Sequence, residues 1–452
     1  MAARFTAAEV RQALGLPPTG PALEFASVST DTRSLEPGAL FVALRGERFD
    51  GARFVSQAES LGAAAAVVSD DSAPPASRLP VFPVANTTRA LGELARFHRR
   101  RAGARVVGIT GSSGKTTVKE MLTCALGSER SVHATEGNLN NQVGLPLSIL
   151  AADEEADVWV LELGTNEPGE IRRLTEIAEP DDAVITTVGP AHLEGLGSVA
   201  GVLEEKLDLL RGASREGCAV VGELPPALPA GAREIRPDVV TAGLGPESDY
   251  RPSEWHSGPD AVRFRHSGAE YVVHAGGAHH LRDAIIAAAA ASQLGISAAG
   301  AARGMTEFRP FGMRGALLQV GPLTILADCY NANPESFEAA IRHCADSFPD
   351  RRLAAVVGTM LELGSEESAA HVRVAESLLA SGFTAIVALG AFQESFRALP
   401  LPRDVSVAYP GEVDDAADEL FRLLAGDEVI LVKASRGMRL ERVIDGIKEG
   451  SA

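Results

Sequence analysis

The sequence predicts an α/β protein built from three consecutive domains, and three observations carry that prediction. Apolar runs suited to buried parallel strands alternate with helical patterns along most of the chain. One such run passes through a glycine-rich turn holding Lys and Thr into a helix. At 452 residues the chain is also too long for a single core. The expected arrangement is a small α/β module over 1–102, a central domain over 103–312 and a Rossmann-like, doubly wound domain over 313–452. The central domain is expected to combine a parallel sheet of the phosphate-loop type with a small antiparallel β region.

In the first unit, 39–44 and 63–68 read as strands and the Pro-rich stretch 72–83 as a loop. A helix over 88–101 follows, ending in His98, Arg99, Arg100 and Arg101. That basic run reads as a solvated helix end that suits the helix dipole. In the second unit, 105–109 reads as a strand and 118–126 as a helix, with near-continuous apolar strands at 157–163 and 182–188. Helices are expected at 199–211 and 280–294, and 225–277, rich in Pro, Gly and charge, reads as irregular antiparallel β. In the third unit, strands at 323–327, 353–357, 385–389 and 429–432 alternate with helices near 334–346, 366–381, 413–424 and 438–448. No Gly-x-Gly-x-x-Gly follows its first strand, so it does not read as a dinucleotide site.

Composition excludes several classes. A formal charge of −18 with no long basic stripe speaks against nucleic acid as a partner. The N-terminus carries scattered charges and no apolar core, so it does not read as a signal peptide. The longest low-charge run, 284–294, is too short to span a bilayer, so no membrane insertion is expected. The four cysteines (Cys124, Cys218, Cys329, Cys344) lack metal-ligand spacing and read as free thiols of a cytoplasmic protein.

The chemistry is concentrated at predicted strand ends, where open α/β sheets bind ligands. In the turn Gly111-Ser112-Ser113-Gly114-Lys115-Thr116-Thr117, backbone N–H groups would cradle phosphates. Lys115 would lie on the β/γ-phosphates and the Thr116 hydroxyl on Mg²⁺. The longer form of the pattern would place a glycine where Ile109 stands. Glu162 ends the next strand and suits a metal-binding acid. His192 follows a third strand end and suits a metal or a phosphate. Lys206, in a helix, reads by itself as exposed. Asn138, Asn140 and Asn141 crowd one turn, which suits either left-handed backbone or a polar substrate. Asp328, Tyr330 and Asn331 gather after one strand of the third unit. Lys433, Ser435 and Arg436 gather after another and suit an anionic ligand.

Taken together, these residues resemble the Mur ligases, ATP-dependent amide ligases of peptidoglycan synthesis. The N-terminal match is Ser29-Thr-Asp-Thr-Arg33, Pro37-Gly-Ala-Leu-Phe-Val-Ala-Leu-Arg-Gly46 and Phe49-Asp-Gly51. The central matches are the phosphate turn, Gly137-Asn-Leu-Asn-Asn141, Glu162-Leu-Gly164 and Ala191-His-Leu-Glu-Gly195. The C-terminal ones are Tyr330-Asn-Ala-Asn-Pro334, Gly358-Thr-Met-Leu-Glu-Leu-Gly364 and Lys433-Ala-Ser-Arg436. Tyr-Asn-Ala-Asn-Pro and Met-x-Glu-Leu-Gly point to the branch that acts on UDP-N-acetylmuramoyl-tripeptide and D-alanyl-D-alanine.

The resemblance implies that the N-terminal module holds the UDP end of the muramyl substrate, with Ser29, Thr30 and Arg33. It implies further substrate contacts from Asn138, Asn140, Asn141, Thr165, Asn166, Tyr330, Asn331, Lys433, Ser435 and Arg436. ATP would be the phosphoryl donor, with Asp283, Arg314 and Asp328 on its side and Arg314 at a hinge. One Mg²⁺ would lie by Thr116 and Glu162, and a second by Glu162, His192 and a carbamylated Lys206. Relatives carry Asn where His280 and Asp283 stand here, and Asp283 is expected to read the adenine amino group. A monomer is expected, closing about hinges near 102 and 312. The alternatives are other ligases of the superfamily, a muramyl tripeptide synthetase or a folylpolyglutamate synthase. A GTPase switch is disfavoured by the missing Asn-Lys-x-Asp motif.

Overall fold

The computed structural model describes residues 3–46, 49–71 and 77–450. Part of the expected 72–83 loop therefore lies outside the described residues. The N-terminal unit is a four-stranded parallel sheet in the order Val28–Ser29, Leu40–Val42, Ala65–Ser69, Val81–Val84. A short antiparallel pair, Phe5–Thr6 with Glu24–Phe25, leads into the helix Ala7–Ala13. Thr6 and Glu9 cap that helix reciprocally, which satisfies two of its orphan backbone donors.

The middle unit holds a six-stranded parallel sheet in the order Val240–Ala242, Ala219–Gly222, Asp182–Ile185, Arg105–Thr110, Val158–Glu162, Val132–Ala134. Its central strand is apolar on both faces, with Val106, Val107 and Ile109 fully buried. Behind it the helix Lys115–Gly127 packs on Ala278–Gln293, whose run Ala287–Ala291 is almost wholly buried. Alanines at that contact let two backbones approach closely. A three-stranded antiparallel sheet, Glu254–Ser257, Val262–His266 and Ala269–Val273, lies to one side.

The C-terminal unit is a six-stranded sheet in the order Ala316–Val320, Leu323–Ala327, Val429–Lys433, Leu353–Val357, Phe383–Ala388, Ser406–Ala408. Only the edge strand Ala316–Val320 runs antiparallel. Helices cover both faces, as a doubly wound sheet requires.

Two sequence expectations change. The segment 225–277 is not all antiparallel β. It begins with the helix Ala227–Ile235 and supplies the parallel edge strand Val240–Ala242. Pro225 and Pro226 precede that helix and Pro229 falls in its first turn, where proline is tolerated, so the Pro-rich signal misleads. The basic run is not a solvated helix end. The helix Thr87–Arg101 lies against the middle unit, with His98 fully buried and its ring stacked 5.7 Å from Trp159. Arg99 pairs with Asp181 at 2.8 Å, Arg100 with Glu179 at 2.6 Å and Arg101 with Glu154 at 2.6 Å. One apolar core runs through both units, joining Phe5, Val10, Leu91 and Leu94 to Leu145, Ile149, Trp159 and Ile171.

Candidate active site

The strand Arg105–Thr110 delivers the chain into a turn that only glycine can make at two points. Gly111 has φ 155° and Gly114 φ 79°. A Cβ on Gly111 would lie 1.9 Å from Thr186 Oγ1, and one on Gly114 would lie 2.4 Å from Asp283 Oδ1. Ser112 N–H donates to Thr187 O and Ser113 N–H to Thr187 Oγ1, which pins the turn to the neighbouring strand end. The first-turn N–H groups of the following helix have no intrahelical acceptor, so the mouth of the turn is electropositive and fits phosphate oxygens.

Lys115 Nζ donates to Gly111 O at 2.8 Å. Burial pushes its ammonium pKa down, and Arg314 adds to that, while the Glu162 carboxylate opposes it. Thr116 Oγ1 donates to Glu162 Oε2 at 2.8 Å, and Asn140 Nδ2 donates to Glu162 Oε1 at 2.8 Å. Glu162 is 1% exposed, and its own N–H donates to Thr135 Oγ1. A hydroxyl and a fixed, buried carboxylate meeting at a phosphate cradle form a hard oxygen donor set, which fits Mg²⁺. Lys206 is 1% exposed. Burial drives its pKa well below the usual lysine value, with Lys115 adding repulsion and Glu205 opposing. The exposed-helix reading of Lys206 is thereby overturned. Glu205 is occupied elsewhere, accepting from Gly169 N–H and Ile171 N–H at the start of the helix Glu170–Ala178.

His192 sits apart from this network. Its Nδ1 lies 2.6 Å from Glu362 Oε2 on the C-terminal unit. Both residues have left-handed backbone, φ 53° and 66°. Thr165 and Asn166 lie in the loop that leads into the helix Glu170–Ala178. The Thr165 hydroxyl lies 2.9 Å from Glu167 O, and Asn166 N–H donates to Glu170 Oε2. Asn141 Oδ1 accepts from Gly144 N–H, and Asn138 is exposed beside it.

On the C-terminal unit, Lys433 and Asp328 form a pair at 2.5 Å with the lysine 1% exposed. Lys433 Nζ also lies 3.3 Å from Asn331 O. The Tyr330 ring lies 3.7 Å from the Arg314 guanidinium and 5.6 Å from that of Arg436. Ser435 Oγ accepts from Leu361 N–H and donates to Ala332 O, so it holds two loops together. On the N-terminal unit, Ser29 Oγ donates to Asp31 O, and Arg33 folds back on Asp31. Its hydrogen bonds hold that carboxyl down to about 2. Thr30 lies between Ser29 and Asp31 and is half-buried.

A cavity of about 330 Å³ lies between the N-terminal and middle units, lined by Asn86, Arg89, Gln142 and Arg173 among others. Arg45 N–H donates to Thr87 Oγ1 at its edge, linking the cavity to the Pro37–Gly46 segment. Asp283 is 6% exposed against the phosphate turn. Burial holds its carboxyl well above the usual range, and the nearby Glu335 carboxyl adds to this while Arg282 opposes it. His280 Nδ1 bonds to Gly276 O and is likewise buried.

Three family models cover most of the chain. They are the Mur ligase family, catalytic domain at 24–99, the Mur ligase middle domain at 109–291 and the Mur ligase, glutamate ligase domain at 313–436. A UDP-N-acetylmuramoyl-tripeptide–D-alanyl-D-alanine ligase from Bacillus subtilis is 36% identical over 93% of this chain and 93% of its own. The chain belongs to the Mur ligase family. The Escherichia coli ligase of the same name is 34% identical over 94% of both chains. Among solved Mur ligases, MurF from Acinetobacter baumannii superposes with TM-score 0.91 at 29% identity, covering 99% of each chain. MurF from Thermotoga maritima in complex with ADP gives 0.83 at 28% identity, covering 94% of this chain and 97% of that one.

Sequence reasoning missed Glu362, Asn333 and Lys119. Glu362 lies inside the Met-x-Glu-Leu-Gly motif, so its residue type was in view but not its partner. Asn333 Nδ2 donates to Ser113 Oγ at 3.2 Å across the two units. Lys119 is fully buried one turn beyond Lys115 and donates to Thr135 O, behind Glu162. Helical spacing from Lys115 is the signal that would have found it.

Proposed function

We propose that this chain is an ATP-dependent ligase that joins D-alanyl-D-alanine to UDP-N-acetylmuramoyl-tripeptide in peptidoglycan precursor synthesis. The observation that carries the reading is the end-to-end likeness to ligases of that name, with the phosphate cradle and Glu162 intact. The reaction moves the γ-phosphoryl of ATP to the tripeptide carboxylate. The amine of D-alanyl-D-alanine then attacks the acyl phosphate, and phosphate leaves. Both steps bring anions together, so the site must neutralise charge and hold geometry.

Lys115 and the helix N-terminus bind and orient the phosphates. Thr116 and Glu162 would hold Mg²⁺, which neutralises phosphate charge when bound. A carbamylated Lys206 would support a second site with Glu162 and His192. Burial pushes the Lys206 ammonium well below its usual value and so favours the neutral amine, the form that adds to CO₂, giving a carbamate and releasing a proton. The cavity bordered by Gln142 and Arg89 suits the polar sugar-diphosphate portion of the muramyl substrate, with Ser29, Thr30, Arg33, Asn138, Asn140 and Asn141 as further substrate contacts. Arg314 and Asp328 serve the ATP side, and Tyr330, Asn331, Lys433, Ser435 and Arg436 suit the anionic peptide end. Asp283 reads adenine. The domains divide at 102 and 312, and the enzyme acts as a cytoplasmic monomer; no described helix is long and apolar enough to cross a membrane.

The test is phosphate release from ATP. Release should require the muramyl tripeptide and D-alanyl-D-alanine together, and release with folate and glutamate instead would overturn the reading. Lys206→Ala should lose activity that short-chain carboxylates partly restore. Full activity in that variant would remove the carbamate.

A further inference from the structure

We propose that Asn333, carried on the C-terminal domain, is a positioning residue for Ser113 of the phosphate turn, setting that hydroxyl as a donor to a phosphate oxygen of the bound nucleotide. The proposal rests on the nucleotide site of the ligase reading. Asn333 caps the helix Pro334–Ser347. Its Oδ1 accepts from Ser336 N–H at 2.8 Å, and its own N–H donates to Ser336 Oγ at 3.0 Å. That cap fixes the amide. With Oδ1 turned to the helix, Nδ2 faces outward, and it donates to Ser113 Oγ at 3.2 Å across the domain junction. An amide nitrogen only donates, so the Ser113 oxygen accepts. A serine hydroxyl has a single proton, which is then left for an acceptor other than Asn333. Ser113 stands immediately before Gly114 and Lys115, in the turn whose backbone donors fit phosphate. A phosphate oxygen held by that turn is the acceptor this proton suits.

The two serines of the turn differ in this respect. Ser112 Oγ donates to Gly189 O at 3.1 Å and accepts from Gly189 N–H at 2.9 Å, so its proton is committed to the protein. Ser113 is pinned through its backbone instead. Its N–H donates to Thr187 Oγ1 at 3.2 Å, and its carbonyl accepts from Thr186 Oγ1. With the backbone held, the contact from Asn333 sets the side chain rather than the turn. Glu335, in the same first helical turn, packs so closely on Gly189 that a Cβ there would lie 2.4 Å from its Oε2. The start of this helix is thus seated both on Ser113 and on the residue that holds Ser112. The domain bearing Asn333 has to be docked for the hydroxyl to be set, which ties nucleotide affinity to the position of the C-terminal domain.

The experiment is a double-mutant cycle in the full-length protein, with a non-hydrolysable ATP analogue as the calorimetric probe. Asn333→Ser keeps a capping oxygen but is too short to reach Ser113. Ser113→Ala removes the hydroxyl. Ser113→Ala should weaken binding of the analogue about tenfold, and Asn333→Ser about threefold or more. In the Ser113→Ala background, Asn333→Ser should add less than about a twofold loss, because the group it acts through is gone. In turnover, KM for ATP should rise in both single variants, with KM for the muramyl tripeptide within about twofold of wild type. The melting temperature of Asn333→Ser should match the wild type, since the helix cap is kept. An equal loss from Asn333→Ser with and without the Ser113 hydroxyl would overturn the proposal, as would undiminished binding in Asn333→Ser. Should the wild type bind the analogue yet fail to ligate, the ligase reading falls, while the cycle still reports on Asn333.

Discussion

The two junctions between the three domains are built from opposite materials. The N-terminal and middle domains share one apolar core and are clamped by Arg96, Arg99, Arg100 and Arg101. Among the described residues, no apolar cluster crosses from the middle to the C-terminal domain. There the contacts include hydrogen bonds of His192 with Glu362, Glu194 N–H with Glu362 O and Asn333 with Ser113, and the His279 and His343 rings 6.0 Å apart. Gly312 and Gly315, with φ 59° and 74°, lie in the connecting segment. Apolar contact has to be re-exposed to water before a domain can swing, whereas a few hydrogen bonds exchange with water at small net cost. Motion is therefore expected at the second junction, while the shared core and ion pairs argue against the hinge expected near 102.

The widest test of this contrast is displacement. Spin labels on the N-terminal and middle domains should keep their separation when an ATP analogue and muramyl tripeptide bind. Labels on the middle and C-terminal domains should approach. Movement at the first junction of equal size would end the contrast. Lys115→Ala should slow ATP turnover by roughly 10³-fold without changing the melting temperature, as expected if its charge follows the transferring phosphoryl. A variant within tenfold of wild type would remove Lys115 from that role.

At the first junction, Trp159→Ala should cost about 3–5 kcal/mol and melt the N-terminal and middle domains in one calorimetric transition. Two separate transitions would mean the shared core does not couple them. Glu179→Ala removes the partner of Arg96 and Arg100 at a half-exposed site, so about 1 kcal/mol is expected, shrinking in high salt. A loss unaffected by salt would point to packing instead.

The smallest effect concerns pH at the second junction. Asp283 faces Glu335 and Arg282, and Glu335 faces Arg282 and Arg342. Burial raises both carboxyls, so their contribution is complete below the ordinary carboxylate range and is lost as pH rises through the folded values. His280 and His343 are lowered by burial, the latter to about 4, so their contribution is lost as pH falls below the ordinary histidine value. Asp283→Asn should keep the Michaelis constant for ATP within about threefold at pH 7 and flatten its alkaline rise. An alkaline limb identical to wild type would clear Asp283 of that role.

Local chemistry was legible in the sequence where the chain itself brings groups together. The phosphate turn needs only a strand, glycines and a helix start, all within a dozen positions. Glu162 was legible because strand ends of one sheet converge. The burial of Lys206 was not, because a helix pattern of charges does not say what covers each residue. Nor was the His192–Glu362 contact, which joins residues on separate domains. The basic run after Phe97 misled for the same reason: its acceptors at 154, 179 and 181 come from a later domain.

The seat of Asp283 changes what its side chain is. In water an aspartate has lost the donor that an asparagine offers. Asp283 is pressed against Gly114, where burial pushes its carboxyl well above the usual range, and in its protonated form it offers one O–H beside one carbonyl, the same pair of valences as a primary amide. A substitution that looks like the gain of a charge is, in this interior, close to an isosteric exchange.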